Sequence, residues 1–227
     1  MQENSLELPV LDKGFVRYID HLGSDQRIVE TARICYKSPS KGEKQDRGLL
    51  KYLLTHNHTT PFESCNITFN IKFPIFCMRQ FVRHRTFRLN EMSARYTEMK
   101  EEFYFPQKWR KQDIKDKQSS IDGDVGSESQ DGRLKLVCNT SYNLYREMIK
   151  DGVAKELARI ILPINLYTEV YVNCDIHNLM HFFELRLDKH AQWEIQQYAK
   201  AMFVIFEKYF PWTAELFKIK NKKLFVE

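Results

Sequence analysis

Residues 64–73, SCNITFNIKF, alternate apolar and polar side chains, and this alternation constrains the fold more than any other part of the sequence. Successive side chains of an extended strand point to opposite faces, so one face of this segment is apolar and must be buried. Pro74 follows, ends the strand and suits the first turn of a helix that runs on into several arginines. The apolar face consists of Ile67, Phe69, Ile71 and Phe73.

The segments around this strand have helical rather than strand periodicity. Leucines after Asp46 recur at the spacing of one helix face, and Asp46 is placed to cap that helix. Asp25 is placed in the same way to cap a helix over 25–36. Helices and strands mixed in 227 residues predict a single α+β domain, residues 1–227, in which an antiparallel or mixed sheet packs against helices. The remaining pattern predicts strands at 15–20 and 166–173, and helices at 133–151, 154–162, 175–187 and 191–209, the last ended by Pro211.

Residues 107–132, QKWRKQDIKDKQSSIDGDVGSESQDG, are polar, contain several Gly and Ser residues, and are poor in apolar ones. A segment of this composition buries little apolar surface and gains little from ordering. Because the flanking segments belong to one domain, we predict a mobile surface insertion here rather than a linker between domains.

Composition narrows the class of protein. Hydrophobic residues form 43% of the chain, which argues against disorder, and a net charge of +5 suits anionic ligands but is small for a nucleic-acid binder. The five cysteines are scattered without a C-x-x-C pair, which is typical of reduced thiols. Residues 1–15 lack the features of a secretory signal, and no apolar run is long enough to span a membrane. The sequence therefore predicts a soluble, cytoplasmic protein.

The stretch 83–96, RHRTFRLNEMSARY, concentrates positive charge around a few short polar side chains. Arg79 and Arg83 are four residues apart on the helix after Pro74, so they share with Gln80 one face of a partly apolar helix. A guanidinium binds phosphate or carboxylate oxygens two at a time, and an unpaired buried charge is costly. We therefore predict an anion site that favours a phosphate-bearing ligand.

Two alternatives compete for these arginines. They could grip a nucleic-acid backbone while the aromatic residues between them stack on bases, although no RRM, helix-turn-helix or OB pattern accompanies them. They could also form a structural network with nearby carboxylates. The carboxylates in question belong to Glu63, Glu91, Glu98, Glu101 and Glu102.

A second polar segment, HNHTTPFES at 56–64, lies between a helix and the central strand. It offers His58, Thr60 and Glu63 as ligand contacts, in a stretch that we interpret as a loop because it contains Pro61. The spacing is not that of a zinc site, since no H-E-x-x-H pattern is present, so we predict no bound metal.

A third group lies in the last third of the chain. Asp175 precedes a predicted helix on which His177 and His181 share a face. Arg186 comes near the end of that helix, where a cation suits the helix dipole. Arg159 has apolar neighbours that would draw it inward. No glycine-rich dinucleotide fingerprint or P-loop is present, so a dinucleotide would not be held as in a Rossmann fold.

Taken together, these segments resemble the flavin-dependent thymidylate synthases, the ThyX family. The resemblance runs in the same order along nearly the whole chain, outside 107–132 and the C-terminal tail. The matching elements are R-H-R at 83–85 followed by N-E-x-S-x-R at 90–95, H-x-T-P-F-E at 58–63, Q-x-x-R at 80–83, A-R-I-x-L-P-x-N-L-Y-T at 158–168 and L-R-x-D-x-H-A-Q-x-E-I at 185–195.

The resemblance implies an enzyme that methylates dUMP to dTMP, with carbon from methylenetetrahydrofolate, hydride from reduced FAD, and NADPH as the reductant. It also implies a homotetramer with shared active sites, no nucleic acid or membrane partner, and Arg186 as the catalytic residue beside the uracil ring. By motif matching, dUMP would be bound by Gln80, Phe81, Val82, Arg83, Glu91, Met92, Ser93, Ala94, Arg95, Arg159 and Arg186. FAD would be bound by His58, Thr60, Glu63, Arg83, His84, Arg85, Glu91, Asp175, His177 and His181.

The sequence departs from the family pattern at two places. Arg88 stands where many members carry serine, which changes the charge near the predicted phosphate site. Asp175, His177 and His181 stand where some members carry Asn, Arg and Asn, which changes the predicted flavin contacts. Two other functions remain open: a nucleic-acid-binding protein that uses the arginines at 79–95, and a flavoprotein oxidoreductase of the same fold without methyl transfer.

Overall fold

The strand predicted from the alternation at 64–73 is the central strand of a five-stranded sheet in the computed structural model of the chain, which describes residues 6–226. The strands are β1 (Glu7–Val10), β2 (Gly14–Leu22), β3 (Asn66–Pro74), β4 (Arg88–Glu91), β5 (Lys111–Gln112), β6 (Ser120–Ile121) and β7 (Tyr167–Asp175). The sheet has the order β1-β2-β3-β7-β4 with every neighbouring pair antiparallel, and β5 and β6 form a separate hairpin. The predicted α+β class is confirmed.

Helices cover the apolar face of this sheet. They are α1 (Asp25–Arg33), α2 (Glu43–Thr55), α3 (Thr60–Glu63), α4 (Ile75–Phe81), α5 (Ser127–Lys150), α6 (Lys155–Ala158), α7 (Ile176–Arg186), α8 (Trp193–Tyr209) and α9 (Pro211–Lys220), with 3₁₀ turns at Ile34–Tyr36, Arg159–Ile161 and Lys222–Leu224. The four predicted apolar side chains of β3 are fully buried in the core that results. The apolar stripe of α7 and phenylalanines of α8 and α9 complete that core, and a smaller cluster lies beneath α5.

The structure corrects the predicted N-cap of α1 and adds a helix after Pro211. Ser24, not Asp25, caps α1 with its side chain. The Asp25 carboxylate instead accepts hydrogen bonds from the backbone N–H groups of Trp212 (2.8 Å) and Thr213 (3.0 Å). It therefore caps α9, a helix absent from the sequence interpretation, in which Pro211 only ended α8. Proline is well tolerated in a first helical turn, where its missing N–H is not needed.

Asp46 is not a helix cap either. Helix α2 begins three residues earlier, at Glu43, and Asp46 is buried, where it accepts a hydrogen bond from Arg33 at 2.6 Å. Burial alone would raise the pKa of the Asp46 carboxyl, but the hydrogen bonds from Ser40 and Arg33 outweigh it and lower the pKa. This ion pair ties α1 to α2.

Residues 107–132 have more regular structure than their composition predicts. They contain the β5–β6 hairpin and the first six residues of α5, which begins six residues before the predicted start at 133. Within the segment, the Trp109 indole donates to Asp131 at 2.8 Å and so connects the hairpin to α5, and Arg110 attaches the segment to the rest of the domain through Glu194. Its mobility stays a prediction.

The stretch after α4 also differs from its interpretation. The predicted helix runs on into the arginines, but α4 ends at Phe81, before the arginine-rich stretch, and residues 88–91 form the edge strand β4. Strand β4 pairs with β7, with Arg88 opposite Asn173 and Glu91 opposite Val170. Pairing with a neighbouring strand overrides weak local preference, which is why four mostly polar residues were not recognised.

No helix within residues 6–226 combines the length and the apolar character needed to cross a membrane. Residues 1–5, part of the stretch from which the absence of a secretory signal was predicted, lie outside the described residues.

Candidate active site

Arg186, the last residue of α7, lies in a cleft of about 1080 Å³. The cleft is bounded by the end of α4, the start of α8 and the segment that carries the β5–β6 hairpin, and Gln80, Tyr104, Arg110, Gln192 and Trp193 are among its lining residues. Its volume is at the upper end of the range for ligand pockets, so it can take a ligand of nucleotide size or larger.

Neighbouring groups hold the Arg186 side chain by three of its nitrogen atoms. Nε donates to His84 Nε2 at 3.0 Å, Nη1 to Gln80 Oε1 at 3.5 Å and Nη2 to the Gln80 carbonyl at 3.4 Å. The residue is half-buried, and burial lowers the pKa of its guanidinium. No carboxylate lies within ion-pair distance of Arg186 in the described part of the chain. A poorly solvated cation without a counter-ion favours an anionic ligand in the cleft.

His84 holds Arg186 from the buried side of the cleft. Its ring is buried against Phe182, with 4.9 Å between ring centroids, and against Phe87, at 5.5 Å. Burial, followed by the charges of Arg186 and His181, lowers the pKa of His84 to about 4. The imidazole is therefore neutral at neutral pH, and because Nε2 accepts from Arg186, its proton lies on Nδ1.

Three arginines around the end of α4, Arg79, Arg83 and Arg85, form what we call the arginine cluster. All three are exposed, and among the described residues none of their side chains makes an ion pair or a hydrogen bond. The helix is partly buried, as predicted, but Arg83 lies after its last residue, so Arg79 and Arg83 do not share a helix face. The core side of α4 is occupied by Cys77 and Phe81, which turns the arginines outward.

The structural network considered for these arginines is also wrong. Glu102 pairs with Lys72 at 2.8 Å and Glu98 with Lys155 at 3.7 Å. Glu91 accepts a hydrogen bond from Thr168 at 2.7 Å. The fold thus leaves the cations of the arginine cluster available.

A second group of predicted residues converges on Glu156. Its carboxylate accepts from Arg95 Nε at 2.9 Å, and its carbonyl accepts from Arg159 Nε at 3.3 Å. Ser93 is next to them, since its hydroxyl accepts from the backbone N–H of Arg95 at 3.3 Å. Arg159 is exposed, which corrects the prediction that it points inward. The 3₁₀ turn directs both Arg159 and its neighbour Ile160, 74% exposed, to the surface.

The apolar residues of the two predicted nucleotide segments lie in different environments. The Phe81 side chain is fully buried, so any ligand contact of Phe81 is made by its backbone, whereas Val82 is 41% exposed. Met92 and Ala94 are half-buried against the cluster beneath α5. The Met92 backbone N–H donates to the Glu169 carbonyl at 2.9 Å, which extends the pairing beyond β4.

Most residues predicted to bind the flavin lie around α3 and α7. The loop predicted at 56–64 is correct for 56–59, but the short helix α3 occupies Thr60–Glu63, and both of these end residues are exposed. His58, His177 and His181 line a smaller cleft of about 100 Å³. They do not form a metal-binding group, since no such group of three occurs within 6–226. Asp175 caps α7 by accepting from the Asn178 N–H at 2.8 Å.

Sequence reasoning missed the polar residues behind Arg186. Gln192 and Glu194 fall within the motif at 185–195 but received no role, and Tyr104 and Arg110 were not considered. Glu194 is only 2% exposed. Its burial depends on the packing of α8 against distant segments. The only trace of it in the sequence is the run Q-x-E at 192–194, which directly precedes an apolar helix face.

One chain gathers the predicted nucleotide-binding residues into two groups rather than one. Gln80 and Arg186 line the large cleft, whereas Arg95 and Arg159 do not. The expectation that all these arginines converge is therefore not met within a single chain.

Comparisons with known proteins match most of the chain. The family described as "Thymidylate synthase complementing protein" matches residues 17–212. A flavin-dependent thymidylate synthase of Thermus thermophilus is 47% identical over 93% of this chain and 79% of its own length. One from Thermosipho melanesiensis is 45% identical over 93% of both chains. Among solved structures, the UMP/dUMP methylase PolB of Streptomyces cacaoi bound with 5-Br dUMP superimposes with a TM-score of 0.86, at 29% identity, over 93% of this chain and 97% of its own.

Proposed function

We propose that this chain methylates dUMP at carbon 5 of the uracil ring to form dTMP, because it belongs to the thymidylate synthase complementing protein family, that is, to the flavin-dependent thymidylate synthases. In this reaction methylenetetrahydrofolate supplies the carbon, reduced FAD the hydride, and NADPH regenerates the reduced FAD. The observation that carries the proposal is Arg186, a half-buried cation that Gln80 and His84 hold in a large cleft.

Arg186 is suited to activate the pyrimidine. Carbon 5 of uracil becomes nucleophilic when electron density moves into the ring, which loss of the N3 proton promotes. A guanidinium beside the N3 and O4 edge stabilises that anionic form, and it does so more strongly where water is partly excluded. A shift of one unit in the pKa of N3 corresponds to about 1.4 kcal/mol. The three hydrogen bonds to Gln80 and His84 fix the direction from which the charge acts.

The group around Glu156 is suited to the phosphate of dUMP. Arg95 and Arg159 approach the same residue from segments 64 positions apart in the sequence, with the Ser93 hydroxyl beside them. Phosphate carries more charge than the Glu156 carboxylate and accepts more hydrogen bonds, so it would replace that carboxylate as the partner of Arg95. Since this group does not line the cleft of Arg186, we infer that Arg186 of one subunit acts on a nucleotide whose phosphate is held by another, within a homotetramer.

The exposed positive charges after α4 are suited to bind a flavin dinucleotide. Arg83 and Arg85 are exposed cations without a carboxylate partner among residues 6–226, which suits the pyrophosphate of FAD. The cleft lined by His58, His177 and His181 would contact the remainder of the cofactor. When bound, the flavin supplies the redox chemistry, and the protein fixes its position relative to the nucleotide.

The cysteines agree with a mechanism without a thiol nucleophile. All five are free, and none of them lines the cleft of Arg186. Burial raises the pKa of Cys65, Cys77, Cys138 and Cys174, so these thiols are protonated at neutral pH and weakly nucleophilic. Free, scattered thiols also suit a reducing compartment, and we place the enzyme in the cytoplasm on that ground.

The test is release of tritium from dUMP labelled at carbon 5, measured with and without FAD, NADPH and methylenetetrahydrofolate. We expect release that depends on the flavin and its reductant, and dTMP only when the folate is present. UMP labelled in the same way tests the sugar preference. Protein that oxidises NADPH but never forms dTMP would instead be an oxidoreductase of this fold. Protein that neither bleaches a flavin absorption band with NADPH nor releases tritium would refute the proposal.

A further inference from the structure

A row of side-chain hydrogen bonds leads from Arg186 to a buried carboxylate on α8. Glu194, the second residue of α8, accepts from the Tyr104 hydroxyl at 3.1 Å and from Arg110 Nη2 at 2.7 and 2.9 Å. Gln192 Nε2 donates to the same carboxylate at 2.9 Å. Gln192 Oε1 in turn accepts from Gln80 Nε2, and Gln80 Oε1 accepts from Arg186 Nη1 at 3.5 Å.

The chemistry of the two ends fixes the direction of every bond in this row. An ionised carboxylate can only accept hydrogen bonds, and a guanidinium can only donate them. The Gln192 amide must therefore turn its NH₂ group toward Glu194 and its oxygen toward Gln80. The Gln80 amide must then turn its NH₂ group toward Gln192 and its oxygen toward Arg186. Neither amide can rotate by 180° without opposing two donors or two acceptors.

We propose that Glu194 is a positioning residue for Arg186, which acts through the oriented amides of Gln192 and Gln80. This inference rests on the proposed function, because it concerns how accurately Arg186 is presented to the pyrimidine. If Glu194 were neutral, its end of the row would accept either orientation of the Gln192 amide, and only Arg186 would then orient the Gln80 amide. The Gln80 oxygen would face Arg186 less exclusively, so Arg186 would keep its bonds to His84 and to the Gln80 carbonyl while its Nη1 is held less firmly.

Arg110 makes the buried carboxylate possible. A carboxylate that is only 2% exposed needs a counter-charge and several donors to remain ionised, and Arg110 contacts both of its oxygens. Arg110 directly precedes β5, so Glu194 also ties the hairpin segment to the cleft that this segment lines. One carboxylate thus connects the wall of the cleft with the catalytic arginine.

The decisive variant is Glu194→Gln, which keeps the size of the side chain and removes its charge. We expect kcat for tritium release from dUMP to fall about tenfold, as for loss of one charge-assisted hydrogen bond, while KM for dUMP changes less than about threefold. Flavin absorption should be unchanged. In a Gln80→Ala background the same substitution should lower kcat by less than about twofold, because the row is already broken there.

Two further variants keep the test interpretable. Gln192→Leu removes the row but leaves the Glu194–Arg110 pair intact, so it should reproduce the loss of kcat even if Glu194→Gln folds poorly. Glu102→Gln, which neutralises the carboxylate of the Lys72 ion pair outside the row, should leave kcat unchanged. A crystal structure of Glu194→Gln, with Gln192 turned away from Gln80 and Arg186 displaced, would support the inference independently of activity.

The inference is overturned if Glu194→Gln lowers kcat by the same factor with and without Gln80, or if kcat and the position of Arg186 both stay as in the wild type. Wild-type protein that releases no tritium would refute the proposed function instead, and the crystal structure of the variant would then decide the inference alone.

Discussion

Arg186 and the arginine cluster (Arg79, Arg83 and Arg85) are both cationic, yet the fold treats them in opposite ways. Arg186 is half-buried and donates hydrogen bonds through three nitrogen atoms. The arginines of the cluster are exposed and make no ion pair within the described residues. The position of Arg186 is therefore set by the protein itself, whereas the arginine cluster is available to a ligand or to another subunit. Substitutions in the two regions should have different consequences.

The largest effect is expected at the held arginine. Arg186→Ala should lower the rate of dTMP formation by about 10³-fold, since it removes the group that stabilises negative charge on the pyrimidine. Flavin binding, measured by its absorption band, should persist because Arg186 is not among the predicted flavin contacts. Arg186→Lys keeps a charge but loses the fork to Gln80 and His84, so its rate of dTMP formation should lie between those of the wild type and Arg186→Ala. Turnover like the wild type in Arg186→Ala would remove Arg186 from the mechanism.

The contrast between the two regions also explains what could be predicted from the sequence. Period-2 alternation identified β3 and the apolar stripe identified α7, because burial on one face leaves a direct trace in residue order. Motif order then predicted Arg186, Arg95 and Arg159 as site residues, which stays a prediction. Each of these inferences depends on residues that are close together in the sequence.

The remainder depends on contacts between distant segments. Asp25 resembles a cap of its own helix but caps α9, more than 180 residues later, and the buried Glu194 accepts hydrogen bonds from Tyr104 and Arg110, which lie more than 80 residues earlier. Strand β4 has little strand character and exists because β7 offers it a partner. The residues next to an arginine in the sequence likewise do not determine which groups it contacts in the fold. The sequence therefore could not show that Arg186 is held by hydrogen bonds whereas the arginine cluster is exposed.

A second prediction concerns the cluster. Arg83→Ala should weaken binding of dUMP and FAD by about 10- to 100-fold, the loss expected when a charged hydrogen-bond donor to an anion is removed. The free energy of unfolding without ligands should change by less than about 0.5 kcal/mol, because the Arg83 side chain makes no ion pair or hydrogen bond within residues 6–226. Arg79→Ala is the matched control: Arg79 is also exposed and lies four residues earlier, in the last turn of α4, but it is outside the predicted contacts. Equal losses of affinity in both variants would indicate general attraction by positive charge.

A smaller effect is expected where an arginine already has a partner. Arg95→Ala should raise KM for dUMP about tenfold, with little effect on FAD affinity, because dUMP must first displace Glu156 from Arg95. The Arg95–Glu156 pair is exposed and contributes about 0–1 kcal/mol to stability, so the melting temperature should hardly change. If flavin affinity fell while KM for dUMP stayed constant, the two ligand assignments would have to be exchanged.

The effect that is smallest at neutral pH concerns His84, because it develops only as the pH falls. The pKa of His84 is about 4 in the folded protein and 6.5 when it is exposed, so between these values the unfolded chain binds a proton that the folded chain does not. The stabilisation from neutral His84 is therefore complete above about pH 6.5 and is lost as the pH falls toward 4, with a slope of at most about 1.4 kcal/mol per pH unit.

His84→Gln tests this dependence, because it keeps an acceptor for Arg186 Nε and cannot gain the proton. Unfolding by urea at several pH values should show a shallower loss of stability for the variant between pH 6.5 and 4, and similar stability for both proteins at pH 8. Carboxylates that titrate in the same range contribute equally to both proteins and cancel in the difference. Parallel curves across that range would mean that His84 is accessible to protons in the folded state, and that Arg186 is held less firmly than its three hydrogen bonds imply.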